Sequence, residues 1–309
     1  MNRLLQLSMM LSIALLGMTS CVNSEEELTG EKKVTQLNLR VARFDIIPFS
    51  TRAEPQISDY CKRIHYVVYS GTEEVQRIDQ SSTDENFGSV SMSLAEGSYK
   101  IIVVAHSSSA DPTISSTTAT FAKNTITDTF FYTNSVTIEG EEQNIDLELE
   151  RATAMFRFVT RDNVPANCGC IEILTTKTSI IFDFATGLGY SVEDNNVSHD
   201  IIEAEVGKPF LMEVFYLLNS ASKTISIDVT ARQLDKTSIL KTKTFSSVPM
   251  EKNKITQFSG YFFGDAPSGE SGGGTGGGGT GGEPSGEGGN QPITISIASD
   301  WAGTNEYSF

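Results

Sequence analysis

Cys21 is the residue whose surroundings point most directly to a chemical modification. It follows an apolar run over residues 4–18 and two small residues at 19–20, and Arg3 is the only charged residue ahead of it. Signal peptides have this order, and cleavage before Cys21 would leave a thiol and an amine that can both be acylated. The run is about fifteen residues long, shorter than the roughly twenty that a spanning helix needs. The sequence therefore predicts a signal peptide over residues 1–20 and lipidation of Cys21. The alternative is an ordinary secreted protein in which Cys21 has no such role.

An acidic cluster follows this cysteine closely. Its members are Ser24, Glu25, Glu26 and Glu27. The cluster resembles the export signal that sends lipoproteins of Bacteroidetes to the outer face of the outer membrane. That resemblance implies a lipid-anchored, surface-exposed protein of the cell outer membrane, with residues 21–35 as an acidic tether.

The charge balance narrows the classes of partner. The 309 residues carry a formal net charge of −16, and removing residues 1–20 takes away only a cation. An acidic surface is repelled by phosphate backbones and by anionic lipid, so we expect no nucleic-acid partner. The mature chain exceeds one typical domain in length, which suggests two domains with a core each.

The remaining cysteines and the histidines predict no metal site and no cofactor. Cys61, Cys168 and Cys170 are an odd number of thiols and define no disulfide framework. The Cys-x-Cys pair lacks the second pair of ligands that a zinc site needs. The histidines, which would have to supply that pair, are scattered along the chain at His65, His106 and His199.

No catalytic constellation can be read from the sequence either. One stretch of chain combines a histidine with several carboxylates, at Asp183, Glu193, Asp194, His199 and Asp200. Their spacing does not show that they converge, and acidic loops are usually solvated. The serines after His106 lack the G-x-S-x-G turn of a serine nucleophile. We therefore expect a protein that is not an enzyme.

Alternation of apolar and polar residues predicts an all-β fold. In residues 36–44, for example, Leu37, Leu39 and Val41 share one face. Residues 210–218 are compatible with a helix, but their β-branched and aromatic content favours a strand. Residues 87–94 and 99–106 are predicted to form a hairpin with Gly97 in the turn. The other predicted strands cover residues 60–69, 129–132, 136–138, 145–149, 152–159, 171–174, 179–184, 224–231, 242–245 and 255–263.

Short strands separated by turn signals indicate antiparallel β-sandwiches. We place an N-terminal sandwich at residues 36–150 and a C-terminal sandwich at residues 151–264. Residues 265–292 are a glycine-rich linker, whose typical end-to-end distance is about 30 Å. Residues 293–309 hold a last strand, in which Ile293, Ile295, Ile297 and Trp301 share a face.

Several motifs occur in an order that resembles the Bacteroidales type V fimbrial subunits, most closely the anchoring minor subunits of the FimB type. They are TRA at 51–53, CKRIHYVVY at 61–69, SLAEGSYKIIVVAH at 93–106, DTFFYT at 128–133 and RATAMFRF at 151–158. The resemblance covers about residues 21–263. It implies two transthyretin-like β-sandwich domains and assembly by donation of a strand between subunits. In shaft subunits of the family an Arg-specific protease removes the first strand, which makes Arg52 a candidate cleavage site, with a solvated loop cation as the alternative.

The resulting hypothesis is a structural subunit that anchors a fimbrium in the outer membrane and supports cell adhesion. Its partners would be other fimbrial subunits, reached by the strand that contains Ile293, Ile295, Ile297 and Trp301. The same strand is equally compatible with folding back onto its own second domain. A second hypothesis is a tip adhesin or glycan-binding lipoprotein that meets a host or bacterial surface receptor, with Tyr132, Tyr190 and Tyr216 as candidate stacking residues.

Overall fold

A computed structural model describes residues 34–44, 57–140, 142–264, 301 and 303–309. Residues 33–309 form one compact unit, and the described part of it is mostly β with one short helix. Within these ranges no helix has the length and apolar character needed to cross a membrane.

The helix and nineteen strands follow the chain in this order. They are β1 (Val34–Phe44), α1 (Ile57–Tyr60), β2 (Arg63–Ser70), β3 (Glu73–Ser81), β4 (Ser89–Ala95), β5 (Gly97–His106), β6 (Thr113–Ile114), β7 (Thr118–Thr120), β8 (Phe130–Ile138), β9 (Gln143–Arg151), β10 (Ala154–Asn163), β11 (Cys168–Thr178), β12 (Ile181–Asp183), β13 (Leu188–Gly189), β14 (Glu193–Asp200), β15 (Pro209–Tyr216), β16 (Ser222–Gln233), β17 (Ile239–Glu251), β18 (Ile255–Gly260) and β19 (Thr304–Ser308).

The first half of the chain forms a seven-stranded sheet in the order β3-β2-β5-β8-β9-β1-β4. Strands β8 and β9 pair at only two positions, Phe130 with Arg151 and Phe131 with Glu150. The strands on the two sides of this junction bury their apolar residues in one common core. Leu37 and Leu39 of β1 lie in that core, as their alternation predicts.

The second half repeats the strand order of the first. Sheets β15-β10-β18-β19 and β14-β11-β16-β17 enclose a second core. The orders β15-β10-β18 and β14-β11-β16-β17 correspond to β4-β1-β9 and β3-β2-β5-β8 in the first half. Strand β19 has no counterpart in this correspondence.

A third, small sheet combines strands from both halves, in the order β13-β12-β7-β6. A third apolar cluster lies beside it and also draws on both halves, with Val104 and Phe131 from the first and Phe182 and Leu217 from the second. The proposed domain boundary after residue 150 stays a prediction.

The structure confirms most of the predicted strands, including β15 at residues 209–216, but not the predicted hairpin. Strand β4 pairs with β1, whereas β5 pairs with β2 and β8. Only Glu96 lies between β4 and β5, and one residue is too short a loop for the chain to fold back on itself. The chain instead passes from one side of the core to the other at Gly97.

The expectation of purely antiparallel sheets is wrong at three strand pairs. Strand β1 is parallel to β9, β10 is parallel to β18, and β18 is parallel to β19. Alternation specifies which face of a strand is buried, but it carries no information on the direction of the neighbouring strand. The first and last strands of each half therefore lie side by side in a way that the sequence pattern did not reveal.

Candidate functional site: the groove of the C-terminal strand

The C-terminal residues add a strand to the edge of β18. Strand β19 runs parallel to β18, with Ile255 opposite Thr304 and Phe258 opposite Tyr307. The pairing extends beyond both ends of β19, because Ile255 donates its N–H to the carbonyl of Gly303 at 2.9 Å and Phe309 donates its N–H to the carbonyl of Ser259 at 3.1 Å. This contact is strand addition at a sheet edge, in which backbone hydrogen bonds supply affinity.

Aromatic side chains hold this strand against the second core. Tyr307 stacks on Phe258 with 4.7 Å between the ring centroids. Phe309 stacks on Phe158 at 5.3 Å and meets the edge of Phe245 at 5.2 Å. Alternate residues of the segment thus occupy apolar positions, which is how an added strand gains specificity.

Gly260 makes room for the end of the chain. A Cβ atom built at Gly260 would overlap the carbonyl oxygen of Phe309. Any larger residue at position 260 would therefore push the last residue away from the sheet.

Trp301 covers a buried arginine at the start of the same segment. Its ring lies 3.9 Å from the guanidinium carbon of Arg151, which also lies 4.8 Å from the ring of Phe130. Arg151 donates two hydrogen bonds to Asp128, at 2.9 and 3.0 Å, and one to Asn253 at 2.8 Å. Arg151 is wholly buried.

The buried charges of Arg151 and Asp128 stabilise each other. Burial raises the pKa of the Asp128 carboxyl, and the adjoining charge of Arg151 opposes that effect. A buried arginine is costly unless its charge and its N–H groups are matched. Trp301 adds a cation–π contact and helps to keep water from the pair.

Asp162 fixes the chain at the end of the second half. Its carboxylate accepts hydrogen bonds from the backbone N–H groups of Phe262, Phe263 and Gly264, at 2.9, 2.5 and 2.7 Å. The neighbouring Arg161 donates to the hydroxyl of Ser308 at 3.3 Å. The point where the predicted linker begins therefore lies beside the strand in which the chain ends.

The sequence-predicted site residues have different outcomes. Trp301 is buried as expected, but it lies in a bend and not in a strand, and the strand that the structure shows begins at Thr304. Its role in joining subunits stays a prediction. The other predicted residues lie outside the described part of the chain: Cys21, Ser24, Glu25, Glu26, Glu27, Arg52, Ile293, Ile295 and Ile297.

The candidate stacking tyrosines do not form a common surface. Tyr216 is wholly buried and hydrogen-bonds Thr175 at 2.5 Å, and Tyr132 packs against the first core. Tyr190 is 71% exposed. A sugar-stacking role is therefore geometrically open to Tyr190 among these three.

The candidate catalytic carboxylates engage separate partners. His199 lies 2.9 Å from Glu205, and Asp200 pairs with Lys236 at 2.7 Å. Glu193 pairs with Lys123 at 2.9 Å. Asp183 accepts hydrogen bonds from the N–H groups of its own turn. The structure does not bring these carboxylates together around His199.

His65 and His106 were expected to be scattered, but they lie side by side. Strands β2 and β5 pair, which places His65 Nε2 2.9 Å from His106 Nε2. Both imidazoles are buried, and Asp111 completes a group whose possible ligand atoms all lie within 4.8 Å of one another. The proximity of the two histidines could have been predicted if the antiparallel pairing of β2 with β5 had been recognised in the sequence.

A chain of hydrogen bonds engages the ring nitrogens of both His65 and His106. The Ser108 N–H donates to His106 Nδ1 at 3.1 Å, so the proton of neutral His106 resides on Nε2. That proton points to His65 Nε2, and His65 Nδ1 in turn lies 2.7 Å from the Asp79 carboxylate. In this tautomer His106 has no free lone pair on Nε2 for a metal ion. Asp111 is moreover engaged by Arg63 at 2.6 Å.

The comparisons with known proteins identify a family. Residues 29–302 match a family described as a family of unknown function, DUF6562. The chain belongs to this family. A comparison with curated proteins gives no match.

Solved structures of Bacteroidales adhesion and fimbrial proteins are distantly similar to the chain. A candidate adhesin from Bacteroides ovatus has a TM-score of 0.44 and 11% identity, over 74% of this chain and 87% of its own. The fimbrial anchor protein Mfa2 from Porphyromonas gingivalis has a TM-score of 0.37 and 9% identity, over 68% and 82%. A fimbrial assembly protein from Parabacteroides distasonis has 0.35 and 9%, over 74% and 90%. At these scores the similarity gives no evidence about what this chain binds.

We predict that Gly260→Ala loosens the C-terminal strand. The added methyl group displaces Phe309, so the backbone amides of β18 and β19 should exchange hydrogen faster and the free energy of unfolding should fall by about 1–3 kcal/mol. Gly264→Ala is the matched control, since its new methyl would meet no atom closer than 3.9 Å. Equal exchange rates in the two variants would contradict the described fit of Phe309.

We also predict that His106 makes stability depend on pH. Burial and the neighbouring His65 lower the pKa of His106 to about 4 in the folded chain, against an ordinary value of about 6.5. The unfolded chain therefore binds a proton that the folded chain does not, and stability is lost as the pH falls from about 6.5 towards 4.

The loss attributable to His106 should reach about 3 kcal/mol. Urea unfolding at pH 7 and at pH 4.5 measures it, and His106→Gln should flatten the difference. An unaltered pH dependence in His106→Gln would show that another group is responsible.

Proposed function

We propose that the chain is a structural, non-catalytic subunit of a surface fimbrium. In this proposal Cys21 carries the lipid that anchors the protein in the outer membrane. Two tandem transthyretin-like β-sandwich domains form its body. The C-terminal segment joins neighbouring subunits by completing a sheet, which supports cell adhesion.

The observation that carries the proposal is the mode of attachment of β19. The strand is held at a sheet edge, by backbone pairing and by aromatic side chains in apolar positions. Residues 261–303 separate it from β18 along the chain. A strand attached in this way makes the same contacts in the groove of its own copy or of a neighbouring one.

The groove itself needs an occupant. Strand β18 carries no charged side chain, and without β19 it would be the edge of its sheet. Uncharged, unprotected edges pair readily with any available strand. In the first half the equivalent strand β9 is flanked by β8, so the repeat leaves this position to be filled only in the second half.

The chemistry of the linker favours exchange between copies. The glycine-rich sequence of residues 265–292 predicts a flexible coil with a typical span of about 30 Å. That span is comparable to the width of a small domain. Binding of β19 in the groove of a neighbouring copy then competes with binding in the groove of its own chain, and the contacts are nearly equal. When many subunits are linked, avidity favours binding between copies.

Truncation after Gly282 tests the proposal. The shortened chain lacks Trp301, Tyr307 and Phe309, and we expect it to lose copurification with other fimbrial subunits when both are produced in the same cells. Tyr190→Ser is the control, because it alters an exposed aromatic residue and leaves the segment intact. Copurification that survives the truncation would refute strand donation, and a lower melting temperature with unchanged copurification would show that the segment serves its own chain.

A further inference from the structure

Strand β4 is a second uncharged sheet edge, and no other described strand covers it. The sheet ends at β4, whose sequence is SVSMSLA. Every other edge strand of more than two residues in the described chain carries charged residues. These are β3 with Glu73, Glu74, Arg77 and Asp79; β14 with Glu193, Asp194 and Asp200; β15 with Glu213; β17 with Lys241, Lys243 and Glu251; and β19 with Glu306. Charges at an edge are the usual protection against pairing, and β4 lacks them.

The backbone groups on the open side of β4 can be identified. Val41 donates its N–H to the Gly88 carbonyl at 2.8 Å, so this carbonyl, directly before β4, faces β1. Successive residues of a strand direct their N–H and C=O groups to opposite sides, and Ser89, Ser91 and Ser93 therefore face away from β1. Gln80 confirms this direction at Ser89, whose carbonyl accepts from the Gln80 side chain at 2.9 Å.

Two residues of β4 thus present backbone N–H and C=O groups that no other strand in the described ranges engages. The Gln80 side chain occupies the open side of the strand at Ser89. Ser91 and Ser93 are exposed, and the backbone hydrogen bonds between β4 and β1 are made by the residues on either side of them. The equivalent strand of the second half, β15, is protected. It begins with Pro209, and its Glu213 forms a salt bridge with Arg157 at 2.7 Å.

We propose that the open side of β4 binds the same strand of a second copy, antiparallel and about a two-fold axis at Met92. In this register Ser91 of each copy lies opposite Ser93 of the other copy. Each of these two Ser91–Ser93 pairs can form two backbone hydrogen bonds, which makes four in all. Val90 lies opposite Leu94, which continues the apolar row of each core across the junction. Serines meet serines on the outer face.

Charge favours a second copy at this place over any other edge. The chain carries a formal net charge of −16, so two copies repel one another unless they meet at a neutral surface. The outer face beside β4 carries little net charge: Asn38 hydrogen-bonds Ser91, Asn144 and, at 2.6 Å, Glu142, and Arg40 and Asp146 neutralise each other through bonds of 2.9 and 3.0 Å. Strand β4 itself brings no charged side chain to the pairing.

The contact is small and therefore weak between free molecules. A single pair of edge strands buries less than a stable interface needs, which is about 1,000 Å² or more. Copies held together on one surface gain effective concentration, and the contact then adds lateral cohesion. This pairing does not involve residues 301–309, and it is independent of the proposed strand exchange.

Cysteine substitution tests the register. We would use the chain from residue 22, which contains the whole compact unit and lacks Cys21. Residues 91 and 93 lie opposite each other in the proposed pair, whereas two copies of residue 91 lie on a diagonal. A mixture of Ser91→Cys and Ser93→Cys should therefore form several-fold more disulfide-linked dimer under mild oxidation than either variant alone.

A charge on the edge provides the second test. Ser91→Lys should abolish the concentration-dependent dimer that sedimentation velocity detects for the unaltered chain between micromolar and millimolar concentrations. Ser198→Lys, on the charged edge strand β14, is the matched control and should dimerise like the unaltered chain. An unaltered chain that stays monomeric throughout this range, a dimer that Ser91→Lys leaves intact, or cross-linking no better in the mixture than in the single variants would overturn the proposal.

Discussion

Backbone N–H and C=O groups along a sheet edge have no partner inside their own sheet, and much of this molecule follows from that constraint. A buried or uncharged edge must be covered, because unmatched backbone groups are costly and attract other strands. Strand β19 meets this requirement at β18, whereas no strand in the described part of the chain pairs with the outer side of β4. Its remaining long edges carry charges, which make pairing there unfavourable.

The returning segment is tied to the rest of the structure at both ends. At one end Trp301 lies over Arg151, which is the last residue of β9 in the first half. At the other end Phe309 needs the space that Gly260 leaves. Since a buried arginine is stable only when it is matched and kept from water, the Arg151 pocket and the docking of the segment support each other. Docking of the returning segment is thus coupled to the packing around Arg151, where the first half of the chain meets the second.

Alternation allowed most strands to be predicted, because burial of one face leaves a period of two in the sequence. Strands β3 and β14 escaped prediction since both lie at edges and carry mostly polar residues, such as EEVQRIDQS. The false hairpin at Gly97 arose because a glycine turn looks the same whether the chain pairs with itself or crosses the core. Parallel neighbours were missed for the same reason, as strand direction is a property of the whole topology.

The site was only partly predictable. Trp301 was recognised as a buried residue, but the strand that follows it, TNEYS, has too little apolar pattern to be recognised. Its attachment depends on the aromatic groove of the second core and on Gly260, which are remote in sequence. The burial of Arg151 could not be predicted, because its partners Asp128 and Asn253 are also remote in sequence. Similarly, His65 and His106 come together only through the pairing of β2 with β5.

The most direct test of strand donation places one cysteine on each side of the groove in separate chains. Gln257 and Glu306 lie opposite each other in the parallel pair of β18 and β19. Cells producing a mixture of Gln257→Cys and Glu306→Cys chains would be oxidised mildly, and the products separated by mass without reduction. Donation of β19 from one copy to the next predicts a disulfide between the two kinds of chain. A mixture that stays unlinked, while a chain with both substitutions closes the bond within itself, would contradict donation between copies.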